Sequence, residues 1–349
     1  MRSSRKNILN ISLLLLLVAL TFYVLLKEQD IEEIFNSLRK VGPAYVFVAI
    51  LLGLSRICGE ALSIHLLIQS LQKEKTSFFL CLKYSLCGFF FCAITPSASG
   101  GQPAQVYYMK KDGISIANSS LILILVTIIY RGTLLLFGGG IFLFCYQSIY
   151  QRLGVIRYWF LFGMFVNTII IVAFCFMLYA KKSVRWCMEK IILLLAKLKL
   201  VKKQESFALK CDSLLTRYHK SAAYISKHKI VMYQVLVVNI GQRFLMFAST
   251  YAIYKGFGLQ DEKFIYIVLM QSIVAICADM LPLPGGVGAN EQCFISVFKN
   301  IFHAKNLIPA MLLVRGSNFY LLAILSAMLV CGIQIAQVRK SYRNIEGHF

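Results

Sequence analysis

Eight ionisable residues sit inside long apolar stretches or at their broken ends: Arg56, Lys83, Arg131, Arg243 and Arg315, with Glu60, Asp279 and Glu291. A charge near the centre of a bilayer costs about 2.5–3.5 kcal/mol on insertion scales, so each is a functional candidate unless a neighbour neutralises it. Arg56 and Glu60 stand four apart on one helix face, where an ion pair would satisfy both. Arg131, Arg243 and Arg315 have no acid at helical spacing, which leaves more positive than negative charge in the interior. An anion is expected to complete such a site, and the planar guanidinium fork suits the paired oxygens of a phosphate.

Two glycine clusters supply the other half of that expectation. They are Ser97-Ala98-Ser99-Gly100-Gly101-Gln102 and Pro284-Gly285-Gly286-Val287-Gly288-Ala289-Asn290. Loops without side chains, each followed by a short helix, are expected to leave backbone N–H groups open to phosphate or carboxylate. The plainer alternative is that these glycines only let helices pack closely. Gln102, Gln105 and Tyr107 are placed to contact a headgroup, and Asp279 and Glu291 to receive any cationic part of it. Lys83 reads as a snorkelling side chain and His65 as a packed, hydrogen-bonded one. The sequence has no Ser/His/Asp set, nucleotide loop, CxxC pair or paired metal ligands, so no catalytic residue, cofactor or metal is expected. Its cysteines fall mostly in apolar runs and read as small core residues.

The elements that hold these residues follow from composition. Of 349 residues, 58% are hydrophobic and 15% charged, against about 45–50% and about 25% in soluble domains. With a mean hydropathy of +0.70, a soluble globule is excluded. Apolar runs at 8–26, 44–71, 78–95, 115–146, 158–179, 230–254, 264–281 and 308–337 predict an all-α polytopic membrane protein. The runs at 78–95 and 264–281 are short and end in Pro/Gly clusters, so about six full spans and two re-entrant helix pairs are expected. That arrangement puts 23 Lys/Arg on the inner side and 9 on the outer, with both termini cytoplasmic. The net charge of +22 is therefore read as topology and anionic lipid, not nucleic acid. Residues 181–229 carry 13 basic and 3 acidic residues around Ile191–Leu195, and predict an amphipathic segment pressed on anionic inner-leaflet lipid.

The order arginine, Gly-Gly, arginine occurs twice. Offsets are 187 between Arg56 and Arg243, 185 between the glycine pairs and 184 between Arg131 and Arg315. A first repeat over 44–146 and a second, inverted one over 230–337 are expected within a single membrane domain of residues 1–349. Inverted repeats with interrupted helices meeting at the midplane are the construction of many secondary transporters.

Thr95-Pro-Ser-Ala-Ser-Gly-Gly-Gln-Pro-Ala-Gln-Val-Tyr-Tyr-Met109 and Leu281-Pro-Leu-Pro-Gly-Gly-Val-Gly-Ala-Asn-Glu291 resemble the signature loops of the lysylphosphatidylglycerol synthase transmembrane family, which includes flippase-like membrane proteins of bacteria and archaea. The resemblance covers nearly the whole chain and implies lipid translocation or assistance to a lipid-modifying enzyme. In the complete enzyme a soluble carboxyl-terminal domain transfers the aminoacyl group from charged tRNA. Here Phe349 lies 12 residues past the last apolar run, so the membrane half alone is expected. The leading expectation is a carrier in the cell membrane that moves an anionic or aminoacylated, lysylphosphatidylglycerol-like phospholipid between leaflets. The alternatives are an enzyme of the phosphatidylglycerol lysyltransferase type or the membrane subunit of an aminoacyl- or glycosyl-transferring one, and a scaffold docking a soluble lipid-modifying partner through residues 181–229. A homo-oligomer also stays open at this point.

Overall fold

A computed structural model describes residues 31–72, 76–144, 153–180, 227–281 and 283–346, with a few positions between 186 and 224. The expected span at 8–26, and the amphipathic segment around Ile191–Leu195, lie outside the described residues. The rest is helical: α1 (Ile31–Lys40), α2 (Pro43–Gln72), α3 (Phe78–Ile94), α4 (Gly101–Lys111), α5 (Ile116–Phe144), α6 (Ile156–Tyr179), α7 (Lys229–Gly256), α8 (Phe264–Asp279), α9 (Ala289–Phe298), α10 (Ala304–Arg315) and α11 (Leu321–Glu346). Among the described residues, five stretches are long and apolar enough to cross a membrane: α2, α5, α6, α7 and the α10–α11 run, which a π turn at Gly316–Tyr320 interrupts. The protein is an all-helical membrane protein. The polar stretch ahead of the first described span contains α1, which packs on α10.

Helices α3 and α8 have 17 and 16 residues, so at about 1.5 Å per residue each spans about 25 Å, less than a hydrocarbon core of about 30 Å. Proline opens the turn at both breaks. Thr95 precedes Pro96 and takes φ −116°, ψ 142°; Leu283 precedes Pro284 and takes φ −97°, ψ 140°. The proline ring excludes the preceding residue from helical conformation, so the backbone must leave the helix there. One 3₁₀ turn follows in each case, at Pro96–Ala98 and Pro284–Gly286. The chain then doubles back. The glycine at 88 lies against Gln105 and the one at 101 against Cys92, which makes α3 and α4 an antiparallel hairpin. Helix α8 packs on α9 as α3 packs on α4, and the two 3₁₀ turns touch.

The long helices α2 and α7 cross the middle as an antiparallel pair. Gly256 lies against Val41 and Tyr45 at one end, while Asn239 reaches Ser63 nearer the other. Their seam is polar: Ser55 Oγ donates to the Gln242 carbonyl (3.1 Å), Asn239 Nδ2 to Ser63 Oγ (3.0 Å) and Gln242 Nε2 to Asn239 Oδ1 (3.0 Å). In lipid the hydrophobic effect gives helices little reason to associate, so small residues and hydrogen bonds carry the contact. Gly59 is what allows it, because a Cβ there would fall 2.1 Å from Gln242 Oε1. Apolar cores form on both sides, one built mainly from α2–α5 and one mainly from α7–α10. A third cluster of Ile57, Phe89, Ala93, Val287, Phe319 and Leu322 joins them at the breaks.

Gly59→Val drives a branched side chain into this seam and is expected to cost about 1–3 kcal/mol. Thermal unfolding of the purified protein in detergent should show a lowered midpoint, whereas Gly139→Val, at a glycine with no neighbour within 4 Å, should leave it nearly unchanged.

Candidate functional site

The two breaks and the long helices enclose a cavity of about 410 Å³. All four span arginines line it: Arg56 from α2, Arg131 from α5, Arg243 from α7 and Arg315 from α10. Asp279 at the end of α8, Asn290 at the start of α9, Ala98 of the first turn, and Gly285 and Gly286 of the second complete the polar wall. Residues 187 apart in sequence, Arg56 and Arg243, thus face one space from antiparallel helices.

Each guanidinium is held differently. Arg243 is 2% exposed and lies over the Tyr130 ring, 3.5 Å from its centroid; its Nε and Nη2 have no hydrogen-bond partner among the described residues. Arg56 lies 4.8 Å over Phe89, and Arg315 4.3 Å over Phe319. Ring faces offer a cation some electrostatic attraction without supplying an acceptor for its N–H groups. Arg131 has real acceptors instead, donating from Nη1 to Asn167 Oδ1 (2.7 Å) and, at a longer 3.4 Å, to Asp279 Oδ2. Asn167 is fully buried and itself anchored to the Gly163 carbonyl (2.9 Å).

Arg315 is the closed member of the set. Its Nε donates to Glu291 Oε1 (2.7 Å) and its Nη2 to the Gly285 carbonyl (3.3 Å). Glu291 also accepts from the Tyr320 hydroxyl (3.1 Å) and, through Oε2, from the Gly288 N–H (2.8 Å), which closes the amino end of α9. The π turn after Arg315 keeps Phe319 and Tyr320 close to the same guanidinium.

Several expectations change here. Arg56 and Glu60 form no ion pair among the described residues; Glu60 Oε1 accepts instead from Gln105 Nε2 (2.7 Å), because α4 folds back on α3 and carries that amide past Gly88 to the carboxylate. Glu291 is not free for a cationic ligand group, since Arg315 holds it, whereas Asp279 lines the cavity with Arg131 3.4 Å from one of its oxygens. Part of the loop amides is taken up as well. The N–H groups of Ala98, Ser99, Gly286 and Val287 bond to carbonyls of their own turns, and that of Gly100 to Thr95 Oγ1 (2.9 Å). Short 3₁₀ turns consume the donors that an extended loop would expose. The matched glycine pairs also do different work: Gly101 makes room for Cys92, whereas Gly285 and Gly286 adopt φ +61° and +62°, which other residues rarely tolerate.

Glu60, Gly100, Gly101, Gln102, Gln105 and Glu291 therefore lie outside the cavity lining. Gln102 donates to Thr127 Oγ1 (2.6 Å) and Tyr107 is exposed. Lys83 pairs with Asp112 (2.5 Å) rather than only snorkelling. His65 meets Phe78 edge-on and Cys81 Sγ at 4.0 Å. Buried Cys81, Cys87 and Cys277 are core residues as expected, whereas Cys58 and Cys331 are exposed. Sequence reasoning missed Tyr130 and Asn167. The signal for Asn167 was present as an amide in the middle of an otherwise apolar run; nothing set Tyr130 apart from other span aromatics.

The family described as "Lysylphosphatidylglycerol synthase TM region" matches residues 8–326. A UPF0104 membrane protein of Archaeoglobus fulgidus is 26% identical over 291 residues, covering 79% of this chain and 83% of that protein.

Removing one side of the buried Arg315–Glu291 pair strands the other charge, so Glu291→Ala is expected to cost about 3–5 kcal/mol. The paired change Arg315→Met with Glu291→Leu should recover much of that loss. Thermal unfolding of both variants in detergent checks the difference; equal destabilisation would show that the pair does not act as a unit.

Proposed function

We infer the function from two premises: the chain belongs to the lysylphosphatidylglycerol synthase TM-region family, and its span arginines converge on one cavity. The protein is a carrier that moves a phospholipid headgroup across the cell membrane, with its termini cytoplasmic. The phosphate occupies the cavity while the acyl chains remain in lipid. The observation that carries this reading is Arg243, buried to 2% with two N–H groups lacking acceptors. A buried donor without a partner costs free energy comparable to a lost hydrogen bond, more when charged, so a phosphate oxygen there converts a penalty into a charge-assisted bond. A volume of about 410 Å³ suits a headgroup.

The construction supports movement as well as binding. Helices α2 and α7 run antiparallel, both hairpins have a proline opening the turn at matching places, and their tips meet at the cavity. We read the two halves as inverted repeats, so that rocking one against the other opens the cavity to alternate leaflets. Hydrogen bonds along the α2–α7 seam provide the axis, and the Arg131–Asp279 contact joins the first half to the second at the cavity edge. The basic stretch at 181–229 holds the cytoplasmic face on anionic lipid.

Reconstitution into vesicles containing a fluorescent phosphatidylglycerol tests this. The wild-type protein should speed exchange of the label between leaflets without changing the lipid composition. Arg243→Ala and Arg56→Ala should each slow it by about tenfold or more, as expected from losing a charge-assisted contact. No acceleration by the folded wild-type protein would refute the carrier reading, and a new lipid product would replace it with an enzyme.

A further inference from the structure

We propose that the cavity selects a phospholipid headgroup whose only charge is its phosphate and discriminates against one that also carries ammonium groups. This rests on the lipid-carrier reading and names the substrate class within it.

The charges around the cavity lead there. Four arginines line it, and three carboxylates lie at or behind its wall, namely Asp279, Glu291 and Glu60. With every group ionised, one positive charge is left over, and neutralising any carboxylate leaves more. A phosphodiester with an uncharged headgroup brings one negative charge and balances the site. Its lysyl ester carries two ammonium groups beside the phosphate, is positive overall, and would place like charge in a weakly screened interior.

The hydrogen-bonding inventory agrees. On the lining, the fully buried side-chain polar atoms without partners among the described residues are the Nε and Nη2 of Arg243 and the Nε of Arg131, all of them donors. Glu291 is 1% exposed, with Arg315 and Tyr320 on one oxygen and the Gly288 N–H on the other. Asp279 is the one carboxylate in the lining, and its Oδ2 is already shared with Arg131. The remaining wall includes Val166, Ile170 and Met246, apolar side chains that suit the glycerol and acyl portions of a lipid better than a free phosphate ester.

Native mass spectrometry of the purified full chain in detergent tests the selection. The lipids offered are equimolar phosphatidylglycerol, lysylphosphatidylglycerol and phosphatidylethanolamine with matched acyl chains. The wild-type protein should retain phosphatidylglycerol about tenfold or more over the lysyl lipid, with phosphatidylethanolamine between them. Arg243→Gln should erase most of that preference, and Asp279→Asn should not weaken phosphatidylglycerol retention. Equal or stronger retention of the lysyl lipid, retention of none of the three, or a selective loss of the lysyl lipid in Asp279→Asn would overturn the proposal. Excess glycerol 3-phosphate should leave the bound lipid in place; its displacement would overturn the lipid as the source of the phosphate. Selective retention without leaflet exchange in vesicles would refute the carrier reading alone, whereas exchange without selectivity would refute only this inference.

Discussion

A guanidinium cannot be made neutral by its surroundings in the way that a lysine or a carboxyl group can, so an arginine carried into an apolar bundle must find acceptors or remain costly. Much of this molecule follows from placing four of them around one space. Arg315 is satisfied within its own half by Glu291 and a loop carbonyl, and Arg131 by Asn167 and a long contact to Asp279. Arg243 and Arg56 rest on aromatic faces instead. The arrangement is graded from a closed pair to an open cation. A site made only of closed pairs would have no attraction left for a ligand, and one made only of open cations would be hard to fold.

Beside the helices that deliver these side chains, α3 and α8 stop part-way. A continuous helix through the middle of the bundle would seal the space that the cavity occupies. Two short helices stop part-way, Pro96 and Pro284 each open the tight turn that follows, and several of the turns' backbone donors bond to carbonyls of the same turn. Irregular backbone at membrane depth is tolerated where it faces protein or a cavity, and both turns do so. The turns are alike in plan but not in detail. In the first, glycine serves close packing against Cys92; in the second, positive φ angles let the chain pass Phe319 and present a carbonyl to Arg315.

The halves are likewise similar without being equivalent. After the first break, α4 is tied to α2 through Gln105 and Glu60, an amide on a carboxylate; after the second, α9 is tied to α10 through Glu291 and Arg315, an ion pair. The first tie leaves Arg56 without a carboxylate, while the second consumes one. That asymmetry gives the cavity its excess of positive charge, and it arises from which residue each returning helix carries rather than from the shared plan.

Periodicity, composition and the order of a few residue types were enough to determine the helical membrane architecture, the two breaks and the four arginines as partners. They suffice because apolar run length, proline stops and the cost of buried charge act locally on the chain. Pairing is not local. Glu60 and Arg56 are ideally spaced on one helix, yet the carboxylate meets Gln105, 45 residues away, because α4 folds back beside it. Glu291, with nothing basic near it in sequence, meets Arg315 across a turn and a helix. Some of the loop amides, open in an extended reading, close on carbonyls of their own turns once these tighten. Which charges cancel and which stay free depends on the approach of distant backbones to within a hydrogen-bond length, and only the tertiary structure decided that.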